Sequence, residues 1–342
     1  DKKMRVITFG EIMLRLSPTG NYRFLQAESF GATFGGGEAN VAVSLAEFGV
    51  DAAFVSKIPE HEIGQAAVNS LRRFGVDTSL IMRGGERLGI YFLEKGASQR
   101  PSKVIYDRAH SAFAKAAAAD FDWERIFKNA DWFHFTGITP ALNDNLAEMC
   151  LTAVKAAKKL GVKISCDTNY RSKLWGLEKA SAVMTELMQY VDVCITNPGD
   201  AKDLFGIISD DKGFDLKNPD NAGAASVAKK LKSTFGFEKV ALTLRTNLSA
   251  SDNDWAAMLY DGESCCASKK YRMHIVDRVG GGDSFSAGLI YALLNNYSAK
   301  SAVEFAAAAS CLKHTVEGDF NCVSVAEVES LAGGDGSGRV QR

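Results

Sequence analysis

Residues 277–288 read Asp-Arg-Val-Gly-Gly-Gly-Asp-Ser-Phe-Ser-Ala-Gly, and a helical pattern of apolar residues follows at once. The three consecutive glycines, Gly280–Gly282, leave backbone N–H groups unshielded and permit unusual dihedral angles. A helix that begins here adds unpaired N–H donors and the positive end of its dipole. The segment therefore predicts an anion-binding turn at the start of a helix.

A carboxylate, Asp283, ends this glycine run. It would repel an anion that merely binds there, but it is suited to take a proton from a hydroxyl group that attacks a phosphate. Asp is also a common helix N-cap, and a glycine-rich turn capped by Asp283 explains the motif equally well. The motif alone leaves both interpretations open.

Two segments together resemble the signatures of the ribokinase-like (PfkB) sugar kinases. Residues 277–283 resemble Asp-Thr-x-Gly-Ala-Gly-Asp, with Arg278 in place of Thr and Gly281 in place of Ala. Residues 34–42, Phe-Gly-Gly-Gly-Glu-Ala-Asn-Val-Ala, resemble the family's Gly-Gly pair followed by Asn. The similarity extends from about residue 6 to residue 331. It implies that Asp283 is a catalytic base and that Gly280, Gly281 and Gly282 form the anion hole.

The composition is that of an ordinary globular protein, with 342 residues, 46% hydrophobic and 24% charged. A net charge of −1 provides no basic surface for nucleic acid, and no segment reaches the roughly 18 apolar residues of a membrane span. The seven cysteines are scattered, and the five histidines lack metal-ligand spacing. We expect reduced thiols, a cytoplasmic location, and neither nucleic-acid nor membrane partners.

Apolar strands alternate with helices through most of the chain. After residue 131, strands at 132–136, 163–167, 193–196 and 239–244 alternate with helices at 146–160, 177–190 and 222–235. This pattern predicts an α/β fold with a doubly wound, mostly parallel sheet flanked by helices. Ligands of such sheets bind beyond the carboxyl ends of the strands.

Two segments with alternating strands, at about 12–34 and 87–110, do not fit this rhythm. The family resemblance assigns them to a small β-strand lid that covers the sugar. We therefore expect a single ribokinase-like domain over residues 5–332 and a flexible tail over 333–342. Because apolar lid strands need cover, the resemblance also implies a homodimer or higher homo-oligomer.

Asp167-Thr-Asn-Tyr-Arg171 follows a predicted strand. An exposed turn explains it, but it also resembles the family's Asp-x-Asn-x-Arg segment, whose Arg grips the substrate carboxylate in the 2-keto-3-deoxygluconate kinase branch. A guanidinium suits a carboxylate because its planar fork donates two parallel hydrogen bonds. The other sugar contacts that the resemblance implies lie in the lid and the first Gly-Gly turn: Tyr91, Tyr106, Arg108, Gly35, Gly36 and Asn40.

The nucleotide side departs from the family pattern. Residues 196–200 resemble the Asn-x-x-Glu motif that orders phosphate and Mg²⁺, but Asp200 is one methylene shorter and would act through Mg²⁺-bound water. Arg245 stands where many relatives have glycine, and we expect it to reach a phosphate. The expected nucleotide contacts are Asn197, Thr243, Arg245, Ser310 and Cys311. Helix capping is the simpler explanation for Asn197 and Asp200, and plain helix packing is the simpler explanation for Ser310 and Cys311.

The resemblance implies a sugar-acid kinase that uses ATP and Mg²⁺ to convert 2-keto-3-deoxygluconate to its 6-phosphate. A monovalent cation near Asp277, as in some relatives, is left open. The alternative within the family is a kinase for fructose, another sugar or a nucleoside, although two arginines and two tyrosines suit an anionic sugar better. The departures at Asp200 and Arg245 suggest an alternative of another class, a non-catalytic sugar- or nucleotide-binding regulator.

Overall fold

Strands and helices alternate along residues 2–342, the part of the chain that this computed structural model describes. The strands are β1 (Arg5–Phe9), β2 (Met13–Ser17), β3 (Gly31–Gly35), β4 (Asp51–Val55), β5 (Lys57–Ile58), β6 (Met82–Arg83), β7 (Ile90–Glu94), β8 (Lys103–Asp107), β9 (Trp132–Thr136), β10 (Lys163–Asp167), β11 (Val193–Thr196), β12 (Lys239–Asn247), β13 (Asp252–Tyr260), β14 (Cys265–Ala267) and β15 (Tyr271–His274). The α-helices are α1 (Gly37–Glu47), α2 (Glu62–Arg72), α3 (Trp123–Ile126), α4 (Ile138–Ala141), α5 (Asp144–Lys159), α6 (Leu177–Met188), α7 (Pro198–Phe205), α8 (Asn221–Phe235), α9 (Gly281–Leu294), α10 (Ala299–Lys313) and α11 (Val325–Ala332).

The main sheet has the strand order β14-β13-β12-β11-β10-β9-β1-β4, and β15 also pairs with β13. The strands from β4 to β12 run parallel, whereas β13, β14 and β15 add an antiparallel edge. Parallel strands are buried on both faces, which is why β9 is an unbroken buried run. The predicted α/β fold with a mostly parallel sheet is confirmed.

Helices cover both faces of this sheet. Trp132 and Phe133 are successive residues of β9, so their side chains point to opposite faces. Phe133 packs in the core that α5, α6, α7 and α8 cover, and Trp132 packs in the core beneath α1, α9 and α10. Full burial of one such aromatic side chain contributes about 1.5–3 kcal/mol. The two cores give the doubly wound arrangement that the alternating pattern predicts.

A second sheet, with the order β3-β2-β7-β8, lies beside the main one, and we call it the lid sheet. Met13, Tyr91 and Leu93 are buried on its inner face and pack with Val279. Strand β3 has a mostly exposed, glycine-bounded sequence, Gly-Ala-Thr-Phe-Gly, without apolar alternation. Its strand conformation therefore depends on antiparallel pairing with β2.

Within residues 2–342, no helix combines the length and apolar character of a membrane span. All seven cysteines lie in this part of the chain and are free thiols. After α11, residues 333–342 form turns and irregular chain.

Candidate active site

A cleft of about 640 Å³ opens between the lid sheet and the carboxyl ends of the main-sheet strands. Strand β1 has β4 on one side and β9 on the other. The connections therefore change direction at β1, and such a switch point leaves a crevice beyond the strand ends. The loops after β1, β9 and β10 line the cleft, together with lid residues and the start of α9.

Asp283 lies on the cleft wall in the first turn of α9 and is 9% exposed. The N-cap of α9 is Gly280, with φ 85° in the left-handed region that favours glycine. Asp283 is thus the third helical residue, and the interpretation of Asp283 as a simple N-cap is wrong. Burial raises its pKa to about 6, opposed by hydrogen bonding from Asn40 and by the charges of Arg171 and Lys313. The carboxyl group is mostly ionised at neutral pH.

The segment 277–283, which we call the anion turn, presents its amides unevenly. The N–H of Gly281 donates to the carbonyl of Arg278 at 3.1 Å, and that of Ser284 donates to Gly280 at 2.9 Å. Between them lie the amides of Gly282 and Asp283, at the helix start where intrahelical acceptors are lacking. The expectation that the Gly281 amide also faces an anion needs correction, because this N–H closes the turn.

Asn40 connects the first glycine motif to Asp283. Its Nδ2 donates to Asp283 Oδ2 at 2.8 Å, and its Oδ1 accepts from the Gly36 amide at 3.3 Å. Gly36 lines the cleft. Gly35 instead lies against Asp319, where a Cβ atom would come within 2.0 Å of the carboxylate. The structure therefore brings Asn40 to the expected base, whereas Gly35 leaves space for a neighbouring side chain.

A buried charge network beneath the lid was missed by the sequence analysis. Arg15 is 3% exposed and donates to Asp277 Oδ2 at 2.6 Å and to Asp319 Oδ1 at 3.1 Å. Tyr91, one of the expected sugar contacts, donates its hydroxyl to Asp319 Oδ1 at 2.5 Å. Burial raises the pKa of Asp319, which the charge of Arg15 opposes. The network joins the lid to the anion turn and places Asp319 on the cleft wall.

Glu38 is a second buried acid that the motif comparison did not single out. Its Oε1 accepts from the hydroxyl of Thr136 at 2.6 Å and of Thr139 at 3.0 Å. Burial raises its pKa to about 7, although both hydroxyl groups favour the ionised form. Glu38 also lines the cleft. Glu38 lies between Gly37 and Asn40 in the first glycine motif, and this position was the sequence signal that could have identified it as a cleft residue.

Arg171 follows β10, is exposed, and lines the cleft on the side opposite the lid. Its charge lowers the pKa values of Asp283 and Asp200. Arg171 is absent from the ion pairs that the other arginines among residues 2–342 form, so its donors are available to a ligand in the cleft. This free guanidinium is in the same cleft as the expected base.

Arg108, the other expected carboxylate contact, already has a partner. Its Nε and Nη2 donate to Glu11 Oε1 at 3.0 and 2.6 Å, while Ser111 donates to Oε2 at 2.5 Å. Tyr106 lies with its ring 5.5 Å from the Arg108 guanidinium and is 38% exposed. Both residues line the cleft, as expected. Part of the Arg108 donor set is therefore committed to Glu11.

A smaller cavity of about 250 Å³ continues from the cleft past Gly282, and Asn197, Asp200, Thr243 and Arg245 line it. Asn197 caps α7 by accepting from the Asp200 amide at 2.9 Å. Asp200 Oδ2 accepts from the Thr168 hydroxyl at 2.8 Å and the Tyr170 amide at 3.1 Å. Burial raises the pKa of Asp200. The capping explanation of Asn197 is confirmed, and one oxygen of Asp200 is held by the protein.

Two arginines meet where the cleft and this cavity join. Arg245 lies 4.8 Å from the Trp255 ring and 3.1 Å from His314 Nε2. Arg278 donates to the Ala250 carbonyl at 3.3 Å. Burial, followed by the charge of Arg278, lowers the pKa of Arg245 to about 10, so both side chains stay cationic at neutral pH. No carboxylate among residues 2–342 forms an ion pair with either guanidinium, which leaves a cationic site for an anion.

Ser310 and Cys311 do not line either cavity in the described residues. Ser310 is fully buried and its hydroxyl donates to the Gly281 carbonyl at 2.7 Å. Cys311 packs against the core beneath α1, α9 and α10, and burial raises its pKa to about 11. Helix packing, the simpler explanation for this segment, is what the structure shows. The expectation of a nucleotide contact for Ser310 needs correction, because its buried hydroxyl group is turned toward the anion turn, whereas that for Cys311 stays a prediction.

Known proteins resemble this chain over almost its whole length. The sequence pattern of the pfkB family carbohydrate kinases matches residues 3–326. A 2-dehydro-3-deoxygalactonokinase from Haloferax volcanii is 32% identical over 96% of this chain and 97% of its own. The crystal structure of 2-dehydro-3-deoxygluconokinase from Thermotoga maritima is 50% identical, with a TM-score of 0.93 over 97% of this chain and 100% of that one.

A more distant structure, a fructokinase with bound ATP from Xylella fastidiosa, shares the fold. It is 21% identical, with a TM-score of 0.76 over 96% of this chain and 98% of that one. The family pattern, the relatives and the shared fold each extend over nearly the whole chain. This protein belongs to the pfkB family of carbohydrate kinases.

Proposed function

We propose that this kinase transfers the γ-phosphate of ATP to the terminal hydroxyl of 2-keto-3-deoxygluconate, the compound also called 2-dehydro-3-deoxygluconate. The observation that carries the proposal is the presence of Asp283 and the unpaired Arg171 in one cleft. The first supplies a base for a hydroxyl group, and the second supplies a planar donor for a carboxylate. A substrate with both groups is a sugar acid.

In the proposed reaction, the sugar hydroxyl attacks the γ-phosphorus, and the bond from that phosphorus to the β–γ bridging oxygen breaks. Asp283 accepts the hydroxyl proton, so the products are the phosphorylated sugar acid, ADP and a protonated carboxyl group. The amides of Gly282 and Asp283, at the positive end of α9, stabilise charge on the transferred group. A carboxylate whose pKa is about 6 is ionised at pH 7 and can accept the proton.

The sugar is held on two sides in this proposal. Arg171 binds the carboxylate, with Tyr106 and the remaining donors of Arg108 beside it. Tyr91 contributes through Asp319, since its hydroxyl already donates to that carboxylate. Asp319 and Glu11 are acceptors on the cleft wall and suit sugar hydroxyl groups. The mixed set of donors and acceptors fits a polyhydroxy acid better than a simple acid.

The nucleotide phosphates extend from the anion turn into the smaller cavity. Arg245 and Arg278 line the cleft together with Gly282, and neither has a carboxylate partner among residues 2–342. Phosphate oxygens of the nucleotide would act as their hydrogen-bond acceptors. Thr243 adds a hydroxyl group in the same cavity. Guanidinium groups bind phosphate well because they donate two parallel hydrogen bonds. Arg245 and Arg278, which replace the glycine and the threonine of the family motifs, are thus compatible with phosphate binding.

The residues fit Mg²⁺ that is carried by the nucleotide. Within residues 2–342, no cluster of three acidic, His or Cys side chains could hold a metal ion by itself. Mg²⁺ commonly keeps several waters and takes one or two carboxylates plus substrate phosphates. Asp200, which accepts two protein hydrogen bonds on one oxygen, would hold a Mg²⁺-bound water with the other. The ion would neutralise charge on the phosphates.

The epimer 2-keto-3-deoxygalactonate is a second candidate substrate, because the Haloferax volcanii relative is named for it. The two acids differ at one hydroxyl group, and the same carboxylate contact would serve both. A kinase for neutral sugars would not need the free guanidinium of Arg171. A non-catalytic binder would not need Asp283 held by Asn40 at the start of α9.

A homo-oligomer built through the lid and a cytoplasmic location belong to the same proposal. The outer side of the lid exposes apolar side chains, with Ile105 53% and Phe30 40% exposed, and a second copy would cover them. The free thiols are compatible with a reducing compartment. Light scattering tests the first point, since a dimer mass is expected and a monomer mass at micromolar concentration would contradict it.

The reaction is tested by ³¹P and ¹³C NMR of the product formed from Mg-ATP and 2-keto-3-deoxygluconate. We expect ADP and one phosphomonoester at the terminal carbon. ADP that forms equally fast without the sugar acid, or phosphate at another carbon, would contradict the proposal.

A further inference from the structure

Lys313, the last residue of α10, is a fully buried lysine in the proposed kinase site. Lysine is almost never fully buried unless its charge is paired. Its Nζ donates to two main-chain carbonyl oxygens, that of Val316 at 2.8 Å and that of Asp277 at 3.2 Å. The ammonium group is therefore held by carbonyl dipoles. Carbonyl oxygens are also the ligands that replace the hydration shell of potassium in selective protein sites.

These two carbonyls belong to different segments. Asp277 opens the anion turn, whereas Val316 lies in the turn after α10. The Val276 N–H donates to the His314 carbonyl at 2.8 Å, and the Gly318 N–H donates to the carboxylate oxygen Asp277 Oδ2 at 3.0 Å, so further hydrogen bonds join the same two segments. The Lys313 side chain thus connects the start of the anion turn to the turn that follows α10.

The ammonium group lies beneath the start of α9. A Cβ atom on Gly280 would come within 3.4 Å of Lys313 Cε and within 2.3 Å of the Asp319 carbonyl oxygen, so glycine allows this close approach. Burial lowers the pKa of Lys313, and the charges of Asp277, Asp319 and Asp283 act in the opposite direction, while the charge of Arg15, which pairs with Asp277 and Asp319, lowers it further. A cation at this place offsets the negative charge of three carboxyl groups beside the anion turn.

We propose that the Lys313 ammonium is the built-in monovalent cation of the anion turn, so that phosphoryl transfer needs no potassium or sodium ion. The inference rests on the proposed function, because it concerns the same turn. Lys313 is a positioning residue: it holds the Asp277 carbonyl and thereby the orientation of the Gly282 and Asp283 amides. A side chain replaces the ion that carbonyl oxygens would otherwise recruit.

The wild-type enzyme gives the first test. Initial rates with Mg-ATP and the sugar acid are measured in choline chloride, potassium chloride, sodium chloride and ammonium chloride at constant ionic strength. We expect rates that agree within about twofold, since the site already holds a cation. Activation of more than tenfold by potassium over choline would overturn the inference.

Two variants separate charge from volume. Lys313→Ala removes the ammonium group and leaves room for an ion, whereas Lys313→Met keeps most of the volume without charge. We expect kcat to fall about 10²-fold in both variants, because the amides of the anion turn would be displaced from the reacting phosphate. Changes in KM should be smaller. Ammonium or ethylammonium should restore Lys313→Ala in a saturable manner and leave Lys313→Met unchanged. A Lys313→Met enzyme with wild-type kcat would overturn the inference.

Thermal unfolding gives a readout that does not depend on turnover. The melting temperature of Lys313→Ala should rise in ethylammonium chloride relative to choline chloride, because the ion binds the folded site. Wild type, Lys313→Met and the exposed control Lys300→Ala on the same helix should not respond. Equal responses of all four proteins, or no response of Lys313→Ala, would overturn the inference, and a wild type that fails to phosphorylate any sugar acid would overturn the proposed function instead.

Discussion

Asn40 Nδ2 donates a 2.8 Å hydrogen bond to Asp283 Oδ2, across 243 positions of sequence. Asn40 stands in the first turn of α1 and Asp283 in the first turn of α9, so both helices begin at the same cleft. A donor to the carboxylate favours its charged form and opposes the effect of burial. The two glycine-rich motifs therefore form one site, in which the second supplies the carboxylate and the first orients it.

Replacement of the carboxylate tests the role of Asp283 as base. Asp283→Asn keeps the shape of the side chain but cannot accept a proton, so we expect kcat to fall by about 10²–10⁴-fold. Sugar-acid binding, measured by calorimetry, should change little. The matched control is Asp144→Asn on the exposed start of α5, which should keep wild-type kcat. A wild-type rate for Asp283→Asn would exclude the proposed proton transfer.

The pH dependence follows from the same carboxylate. The reactive form is ionised, and its pKa in the folded protein is about 6. The rate should therefore be constant above about pH 7 and decrease as pH falls through 6, approaching tenfold per pH unit. Asn40→Ala removes a donor to the ionised form and should shift this decrease to higher pH. A kcat/KM profile that stays flat to pH 5 in wild type would contradict the assignment.

Arg171 is predicted to distinguish acidic from neutral sugars. Hydrogen bonds to a charged group contribute about 1.5–3 kcal/mol, so Arg171→Ala should raise KM for the sugar acid by roughly 10–150-fold. The KM for ATP and any activity with fructose should change much less. Lys179→Ala, which removes an exposed cation on α6 outside both cavities, is the matched control and should leave KM unchanged. Equal losses for acidic and neutral sugars would place Arg171 outside carboxylate recognition.

Arg245 and Arg278 are predicted to act on the nucleotide. Arg245→Gly and Arg278→Thr restore the residue types of the family motifs, and each should raise KM for ATP about tenfold because an unpaired guanidinium is lost. KM for the sugar acid should stay within about twofold. Arg272→Ala, an exposed arginine paired with Asp254, serves as control. Lower KM values for ATP would show that the two guanidinium groups oppose nucleotide binding.

Glu38 is predicted to make stability depend on pH. Its pKa in the folded protein, about 7, lies above the ordinary value of 4.5 because of burial. The folded state therefore holds the proton more tightly, and stability should decrease as pH rises from about 4.5 to 7, by up to about 3 kcal/mol. Glu38→Gln keeps the acceptor for Thr136 and should remove this decrease.

Urea unfolding at pH 5 and pH 8 measures the effect. The difference in unfolding free energy between the two pH values should be smaller in Glu38→Gln than in wild type or in the exposed control Glu148→Gln. If the difference in unfolding free energy between pH 5 and pH 8 were the same in Glu38→Gln as in wild type, ionisation of Glu38 would not destabilise the folded state.

The parallel sheet was predictable because its signal is local. Strands β9, β10 and β11 have the bounds that their apolar runs indicate, since β9 and β11 are buried throughout and β10 is buried at its three central residues. The two glycine motifs also have local signals, so the helix that begins beside Asp283 could be placed from sequence. These features depend on short stretches whose conformation is set by their own residues.

The buried charges were not predictable in the same way. In β2, Arg15 alternates with leucines as in a half-exposed strand, yet it is buried because Asp277 and Asp319 meet it from the far end of the chain. Lys313 ends an alanine-rich helix, where a lysine is expected to face solvent and the helix dipole. Their burial results from tertiary contacts between segments that are distant in sequence.

The most direct test of the sugar-acid assignment is a coupled ADP-release assay with Mg-ATP that compares 2-keto-3-deoxygluconate, 2-keto-3-deoxygalactonate, fructose, ribose and adenosine. We predict a kcat/KM for one or both keto acids at least 10²-fold above that for any neutral substrate, because Arg171 is free to bind their carboxylate. A neutral sugar or nucleoside with the highest kcat/KM would contradict the sugar-acid assignment while leaving the family and Asp283 in place.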